Sequence, residues 1–162
     1  MTTNLETNIK IEFEIIGEGS NKKNLIDLVS KEGLKNIIIF KKKMQLKTLE
    51  RYLLNADGLL VALGKGKALS VTIPAKFQTY ISYGKPIFSF PGNILEEIII
   101  KHNIGFILSK NTFKKVIYKF IKMPKTKEKK INKNCELLFK ENFELKKNTF
   151  NLEEFIRKNI IK

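Results

Sequence analysis

The sequence predicts an α/β fold in which a parallel β-sheet carries helices on both faces, over residues 10–122. Short apolar or β-branched runs alternate strictly with stretches of helical periodicity that are about three turns long. Several of these runs are continuously apolar, which is typical of strands buried on both faces. Strict alternation favours right-handed β-α-β crossovers, the connection that builds a Rossmann-like sheet.

Three strands and two helices are predicted in the first part of the chain. The β-branched and aromatic run Lys10–Gly17 ends at a glycine and predicts the first strand. Residues 21–31 follow with their apolar side chains at helical spacing. Asn36–Phe40 and Gly58–Leu63 are apolar throughout and predict buried strands, while residues 46–57 between them set their apolar residues on one helical face.

The same alternation continues through the second part. Residues 74–83 begin with a proline and are followed by a glycine, which predicts a short helix. Pro86–Phe90 predicts the fourth strand and residues 94–102 the next helix. Gly105–Ser109 predicts the fifth strand, and residues 112–121 predict the helix that completes this domain of residues 1–122.

A C-terminal extension follows the predicted sheet domain. Residues 123–134 form a basic, proline-containing run, which predicts an exposed linker. A helical tail is expected over residues 135–162, in which Asn151 is the predicted N-cap of a helix that ends at Ile161. The apolar residues of that helix share one face, which requires a partner: Leu152, Phe155, Ile156 and Ile160.

The chain is strongly basic, with a net charge of +15. Of its 31 basic residues only Arg51 and Arg157 are arginines, the residue best suited to bidentate contacts with phosphates and bases. The composition therefore argues against a nucleic-acid partner. Solvated lysine faces remain one explanation of the charge, and contact with an anionic membrane surface remains the other.

Composition also bears on compartment and cofactors. No apolar run approaches the roughly 20 residues of a membrane helix, and the first nine residues lack the apolar core of a secretory signal. Cys135 is the only cysteine, and no set of cysteines and histidines suggests a metal site. We therefore expect a cytoplasmic protein, peripheral at most to the inner face of the membrane, that needs no metal and no cofactor.

Ligands of open α/β sheets bind beyond the carboxyl ends of the strands. Four loops lie there: Gly17–Ser20, Lys41–Met44, Gly64–Lys76 and Pro91–Asn93. The first and last are glycine turns that open helices, where backbone N–H groups and the helix dipole favour anions. In the third, Ser70, Thr72 and Lys76 surround a helix start to which Pro74 is suited because it has no N–H to leave unsatisfied.

Several enzyme classes are disfavoured by the motifs. The turn "GEGSNK" lacks the third glycine of the dinucleotide fingerprint, and no phosphate-binding "GxxxxGK[ST]" loop occurs. No Ser/His/Asp or Cys/His constellation is visible. A glycine pair at the end of a strand is equally consistent with a purely structural turn, so that alternative stays open for Gly17 and Gly19.

The order and spacing of four segments resemble the C-terminal, nucleotide-sugar-binding half of GT-B glycosyltransferases of family 4, also called group 1. The segments are "IIGEGSNKKNLIDLV", "NIIIFKKKMQLKTLERYLLNADGLLVAL", "SVTIPAKFQTYISYGKPIFSFPGN" and "EEIIIKHNIGFIL". The third segment is similar to the variant found in enzymes of bacterial surface-polysaccharide synthesis, including fucosamine-transferase-like ones. The resemblance implies a retaining hexosyltransferase-like enzyme that uses a nucleotide sugar, with UDP as the preferred nucleotide.

The resemblance also implies which residues bind the donor, while the catalytic residues stay unknown. The glycine turn would face the diphosphate, the loop after the second strand would line the base pocket, and the third loop would wrap the diphosphate and sugar. The implied donor-binding residues are Gly17, Glu18, Gly19, Lys43, Met44, Ser70, Thr72, Ile73, Pro74, Ala75, Lys76 and Thr79.

Two departures from the family pattern limit what the resemblance implies. Val71 and Thr79 stand where most relatives carry two glutamates, so Thr79 or Gln78 would give the ribose only a weaker hydrogen bond. The N-terminal acceptor-binding domain of the family has no counterpart in the sequence. We therefore expect half of an enzyme that needs an N-terminal domain or subunit as partner. The alternative is a non-catalytic remnant, or a nucleotide- or partner-binding module of the same fold.

Overall fold

A computed structural model describes residues 10–64, 66 and 70–160 of the chain. It divides the chain into two compact units, Met1–Arg51 and Tyr52–Lys162. The boundary falls within a helix, Leu46–Asn55, which we label α2.

The first unit contains one β-α-β crossover. Strand β1 (Phe13–Ile16) is followed by helix α1 (Lys22–Lys31) and strand β2 (Ile38–Lys41). The two strands pair in parallel over their whole length, with Phe13 opposite Ile38. Parallel pairing brings the carboxyl ends of both strands, and the loops that follow them, to the same edge.

The second unit is built around a three-stranded parallel sheet in the order β3-β4-β5. Its strands are β3 (Leu59–Val61), β4 (Ile87–Ser89) and β5 (Gly105–Ile107). Its helices are α3 (Ala75–Ser82), α4 (Ile94–His102), α5 (Phe113–Ile121), α6 (Lys125–Asn142) and α7 (Leu145–Asn159). These parallel strands flanked by helices confirm the predicted fold class.

The centre of the second unit is strand β4, whose three residues are all buried. Phe88 of β4 stacks on Phe106 of β5 at a ring distance of 5.4 Å, and Phe120 of α5 packs edge-on against both rings. Ile87 and Ser89 alternate to the other face of the strand and are fully buried there. Each fully buried large apolar side chain stabilises the fold by about 1.5–3 kcal/mol, so β4 anchors this core.

Not every predicted strand is buried on both faces. Leu60 in the middle of β3 is 40% exposed, and all four residues of β2 are only half-buried. The prediction of complete burial is therefore wrong for these two strands. Strand β4, by contrast, is completely buried and has a hydrogen-bonded neighbour on each side.

Residues 123–134 are not a linker, as the sequence interpretation expected. Helix α6 begins directly after Pro124 and runs for 18 residues. Ile131, Cys135 and Leu138 form its buried stripe, while its lysines are exposed. A helix forms because these three apolar residues recur at helical spacing among the lysines and pack inward.

Cys135 in this stripe is fully buried, with its Sγ 3.3 Å from the carbonyl oxygen of Lys85. Burial raises the pKa of the thiol from an ordinary 9.0 to about 12. The folded pKa thus lies above the unfolded one, so the burial stabilises the fold fully below pH 9 and loses that effect as the pH rises from 9 to 12.

The last helix starts earlier than predicted, because Glu144 rather than Asn151 is its N-cap. Its predicted last residue, Ile161, lies outside the described residues, as do residues 65 and 67–69 of the loop after β3. The apolar side chains of α7 are largely exposed, with Leu152 at 58% and Phe155 at 59%. That this face requires a partner stays a prediction.

The close approach of β5 to β4 gives the first testable prediction. A Cβ built on Gly105 would overlap the carbonyl oxygen of Ile87, and a backbone atom within a paired sheet cannot move aside. We expect Gly105→Ala to lower the free energy of unfolding by about 3 kcal/mol or more, at the upper end of overpacking effects, in urea denaturation.

Gly19→Ala is the matched control, because Gly19 has an ordinary backbone conformation and nothing lies within 4 Å of an added Cβ. Its unfolding free energy should stay within about 0.5 kcal/mol of the parent value. Equal stability of the two variants would contradict the tight packing at Gly105.

Candidate functional site

The residues predicted to bind a ligand fall into two groups, one in each unit. Gly17, Glu18, Gly19, Lys43 and Met44 belong to the first unit. The others belong to the second unit: Ser70, Thr72, Ile73, Pro74, Ala75, Lys76 and Thr79. Both groups follow the carboxyl ends of parallel strands, where ligands of such sheets bind.

In the first group a half-buried lysine organises the turn between β1 and α1. The Nζ atom of Lys22 donates to the carbonyl oxygens of Gly17 at 2.8 Å and of Lys41 at 3.1 Å. It also forms an ion pair with Glu18 at 2.9 Å. These three bonds join the ends of β1 and β2 to each other, a role for which the sequence had not singled out Lys22.

Glu18 is the acidic residue of this turn. Its hydrogen bond from Lys22 is the largest of the effects that lower the pKa of its carboxyl, and the backbone N–H of Lys43 adds to them. The structure therefore brings together Gly17, Glu18 and Lys43, three of the five predicted residues. Met44 is half-buried one residue after Lys43.

The turn leaves backbone donors open. Gly17 has φ +143°, a value that favours glycine, and its N–H donates to Lys41 at 3.3 Å. The N–H groups of Glu18, Gly19 and Ser20 have no acceptor among the described residues. Nothing lies within 4 Å of a Cβ built on Gly19, so a ligand can approach the backbone there. Open donors at a helix start are suited to an anion.

In the second group the start of α3 is open in the same sense. Pro74 is the extended N-cap residue, one position before the first helical turn in which it was expected. The N–H groups of Ala75 and Lys76 have no acceptor among the described residues, whereas Phe77 donates back to Pro74 at 2.9 Å. The side chain of Lys76 is exposed in this first turn, so a cation and two donors occur together.

Ser70 lies apart from that helix start, in the wall of a surface groove of about 600 Å³. Val71 and the loop between β4 and α4 line the groove with it. A smaller adjoining cavity of about 300 Å³ shares Ser70, Gly92 and Asn93. Thr72, Ile73, Pro74, Ala75, Lys76 and Thr79 line neither cavity.

The start of α4 differs from that of α3 because its own side chains cap it. Asn93 accepts a hydrogen bond from the N–H of Leu95 at 2.9 Å, and Glu96 accepts one from the N–H of Gly92 at 2.8 Å. The Pro91–Asn93 turn was expected to be open to anions. The turn is only partly open, since Glu96 already satisfies the N–H of Gly92 and would repel an anion, whereas the N–H groups of Asn93 and Ile94 have no acceptor among the described residues.

Within the described residues, no cluster of three or more His, Cys, Asp or Glu side chains forms that could hold a metal ion. The helices there are all too short or too polar to span a bilayer. Thr79 is exposed on α3, and its carbonyl oxygen accepts a hydrogen bond from Ser82 at 2.7 Å. The described groups thus offer backbone donors, lysines and hydroxyls, which are anion-binding chemistry.

Several solved structures have a similar fold. Anabaena HepE, solved with UDP-glucose, is 15% identical at a TM-score of 0.67, and the match covers 91% of this chain and 41% of HepE. Sucrose-phosphate synthase from Thermosynechococcus elongatus is 13% identical at a TM-score of 0.69, with 90% and 37% covered. WaaG, a glycosyltransferase involved in lipopolysaccharide biosynthesis, is 15% identical at a TM-score of 0.62, with 80% and 34% covered.

At these identities the structural matches show the fold alone, and the chain spans only 34% to 41% of the length of those three proteins. No curated protein sequence matches the chain significantly. The sequence profile described as "Glycosyl transferases group 1" matches residues 1–138, which extends the resemblance through the buried stripe of α6. Because this match covers most of the 162 residues, the chain belongs to the group 1 glycosyl transferases.

Proposed function

We propose that the chain is the donor-binding half of a glycosyltransferase and that it holds the diphosphate of a nucleotide sugar. The observation that carries the proposal is the start of α3, where the open N–H groups of Ala75 and Lys76 lie beside an exposed ammonium group. A diphosphate requires both hydrogen-bond donors and a cation. The open turn at Gly17–Ser20 offers a second set of donors of the same kind.

The nucleotide and the sugar are proposed from the solved relatives and the sequence resemblance. HepE binds UDP-glucose and UDP in its crystal structures, which supports UDP as the nucleotide here. WaaG acts in lipopolysaccharide biosynthesis, which supports a role in surface-polysaccharide or other glycan synthesis. The segment "SVTIPAKFQTYISYGKP" supports a hexosyl donor of the fucosamine-transferase-like kind.

Each donor-binding residue then has a defined part in the transfer. Lys76 and the open N–H groups would stabilise the diphosphate as it leaves, an electrostatic effect that grows with the developing charge. Lys43 and Met44 would line the base pocket, and Thr79 would contact the ribose. We propose a retaining transfer that uses no metal and no cofactor, with the nucleotide sugar as its substrate.

The other half of the active site would come from an N-terminal acceptor-binding domain or subunit. The chain spans 34% to 41% of the solved relatives, which leaves room for such a domain in the whole enzyme. The exposed apolar face of α7 is a suitable contact for it. In this proposal the chain occupies the C-terminal position of a GT-B enzyme and works in the cytoplasm.

A second candidate function is a non-catalytic nucleotide-binding module of the same fold. It is favoured by Val71 and Thr79, which replace the two glutamates of most relatives. Val71 is 73% exposed and has no group that could bind a sugar hydroxyl. UDP binding without any sugar transfer in the presence of an N-terminal partner would favour this candidate over the enzyme.

The first test is the dependence of UDP binding on Lys76. We expect the Lys76→Ala chain to bind UDP more weakly by about 1.5–3 kcal/mol, the range for a charge-assisted hydrogen bond, in isothermal titration calorimetry. The affinity of the parent chain should fall with added salt. Lys140→Ala, an exposed lysine on α6, is the matched control and should keep the parent affinity.

Uridine separates the diphosphate from the base in this experiment. Because uridine lacks phosphate, its affinity should be the same for the parent and for Lys76→Ala. Unchanged UDP affinity in Lys76→Ala would remove this side chain from the site, and equal losses for UDP and uridine would indicate a general distortion instead.

Gly19→Val tests whether the backbone of the first turn approaches the ligand. Gly19 has an ordinary φ and open space around its Cβ position, so the variant should fold with little change in melting temperature. UDP affinity should fall about tenfold or more, or about 1.4 kcal/mol, because the branched side chain fills the space of the ligand. If the folded variant kept the full UDP affinity of the parent chain, the glycine turn would have only a structural role and no contact with the ligand.

The exposed apolar face of α7 allows a test of whether the chain needs an N-terminal domain or subunit as partner. Light scattering should show concentration-dependent self-association of the parent chain, which Leu152→Glu/Phe155→Glu should abolish because the charges disrupt the exposed apolar face. Glu153→Gln on the same helix is the control. A transferase assay should show no turnover by the chain alone, and robust turnover without a partner would overturn the half-enzyme proposal.

A further inference from the structure

The positive charge of the chain is concentrated in one segment. Residues 109–133 contain ten lysines and one glutamate, a net +9 of the total +15. The other 137 residues therefore carry only +6. The proposed nucleotide-sugar site uses none of these ten lysines, so that site does not explain the concentration.

Helix α5 presents the first half of this segment on one outward face. Ile117 is buried on its inner side, and Phe120 packs against the rings of β4 and β5. The opposite side carries five exposed residues, which we call the α5 basic face: Lys114, Lys115, Tyr118, Lys119 and Lys122. Their spacing of three and four residues makes them neighbours on the helix surface.

These charges are not neutralised by the rest of the described chain. Among the ten lysines, Lys125 alone pairs with a carboxylate of the described residues, that of Glu128 at 2.9 Å. Tyr118 is 48% exposed and has lysines three and four positions before it and one and four positions after it. An aromatic side chain that is half in solvent and ringed by lysines forms a surface with both a polar and an apolar component.

We propose that the α5 basic face docks on the surface of a bilayer that contains anionic lipids. Lysine ammonium groups near such a surface are attracted to its headgroups, and the attraction extends over a Debye length of about 10 Å. Tyrosine is suited to the boundary between headgroups and acyl chains, since its ring is apolar and its hydroxyl polar. Charge complementarity and the position of Tyr118 thus point to the same occupant.

The start of α6 strengthens the attraction without forming part of the face. Lys127, Lys129, Lys130 and Lys133 are exposed in its first two to three turns. They follow α5 after a connection of three residues and raise the positive potential of the same segment. Long-range electrostatic attraction depends on this summed charge rather than on individual contacts.

The composition of the segment favours a bilayer over a nucleic acid. Residues 109–133 contain no arginine, the residue that makes bidentate contacts with phosphates and bases. Binding to single strands also uses several aromatic platforms along a groove, whereas the α5 basic face has a single exposed aromatic residue on a convex helix. Lysines that act as point charges are sufficient for headgroups, whose positions adjust to the protein.

Vesicle co-sedimentation tests the proposal directly. The purified chain is mixed, at 0.15 M salt, with vesicles of phosphatidylcholine alone or with about 30% phosphatidylglycerol. We expect binding to the anionic vesicles only. The triple variant Lys114→Gln/Lys115→Gln/Lys119→Gln should bind roughly 100-fold more weakly, about fivefold for each lysine. Tyr118→Ser should lower binding several-fold, and its relative effect should persist when salt weakens the electrostatic part.

The matched control is Lys23→Gln/Lys31→Gln/Lys35→Gln, which removes the same charge from exposed positions of the first unit. It should lower vesicle binding by less than about threefold, since these lysines lie outside the basic segment. Circular dichroism melting confirms that each variant is folded. UDP titration is run separately, so a failure of nucleotide binding and a failure of membrane docking are distinguishable.

Three results would overturn the proposal. One is the absence of binding to anionic vesicles by the parent chain. Another is an equal loss of binding in the α5 triple variant and in the control variant, which would show that binding depends on the total charge of the chain and not on the α5 basic face. The third is lysine-dependent binding of a 20-nucleotide RNA, measured by fluorescence anisotropy, without vesicle binding, which would assign the face to a nucleic acid.

Discussion

The second unit depends on the dense packing around strand β4. All three of its residues are buried, and its neighbour β5 approaches so closely that only glycine fits at position 105. Since β4 is held on both edges by strands, the loops beyond its carboxyl end and that of β3 emerge in fixed directions. The predicted ligand-binding residues of this unit lie outside this central strand, on the segment that follows β3.

The starts of helices α3 and α4 differ in what they offer a ligand. At the start of α4, Asn93 accepts from the N–H of Leu95 and Glu96 from that of Gly92, whereas the start of α3 has no side-chain cap and carries an exposed lysine. A capped start stabilises its helix, while an open one has donors available for an anion. The start of α3 is therefore the more favourable of the two for an anion, since it carries an exposed lysine where that of α4 carries a carboxylate.

Much of the fold could be predicted from the sequence, because local periodicity determines which segments become strands and helices. Helix α6 was missed since its three buried residues are diluted by lysines, and charge density suggested a linker instead. The capping of α4 could have been predicted from the sequence, because Asn93 and Glu96 have the spacing of a capping box. The role of Lys22 could not be predicted from the sequence, because it depends on the ends of β1 and β2 lying side by side. The exposure of Leu60 could not be predicted either, because it depends on tertiary packing.

The three hydrogen bonds of Lys22 determine the direction in which peptide groups of the first turn point. In a trans peptide the C=O and the following N–H lie antiparallel across a rigid plane. The Gly17 carbonyl oxygen is held by the ammonium group, so the N–H of Glu18 in the same plane is directed away from Lys22. The Lys41 carbonyl oxygen is held likewise, which orients the N–H of Lys42. The ammonium group of Lys22, whose three donors are all bonded within the protein, can thus orient backbone N–H groups towards an anion without contacting it.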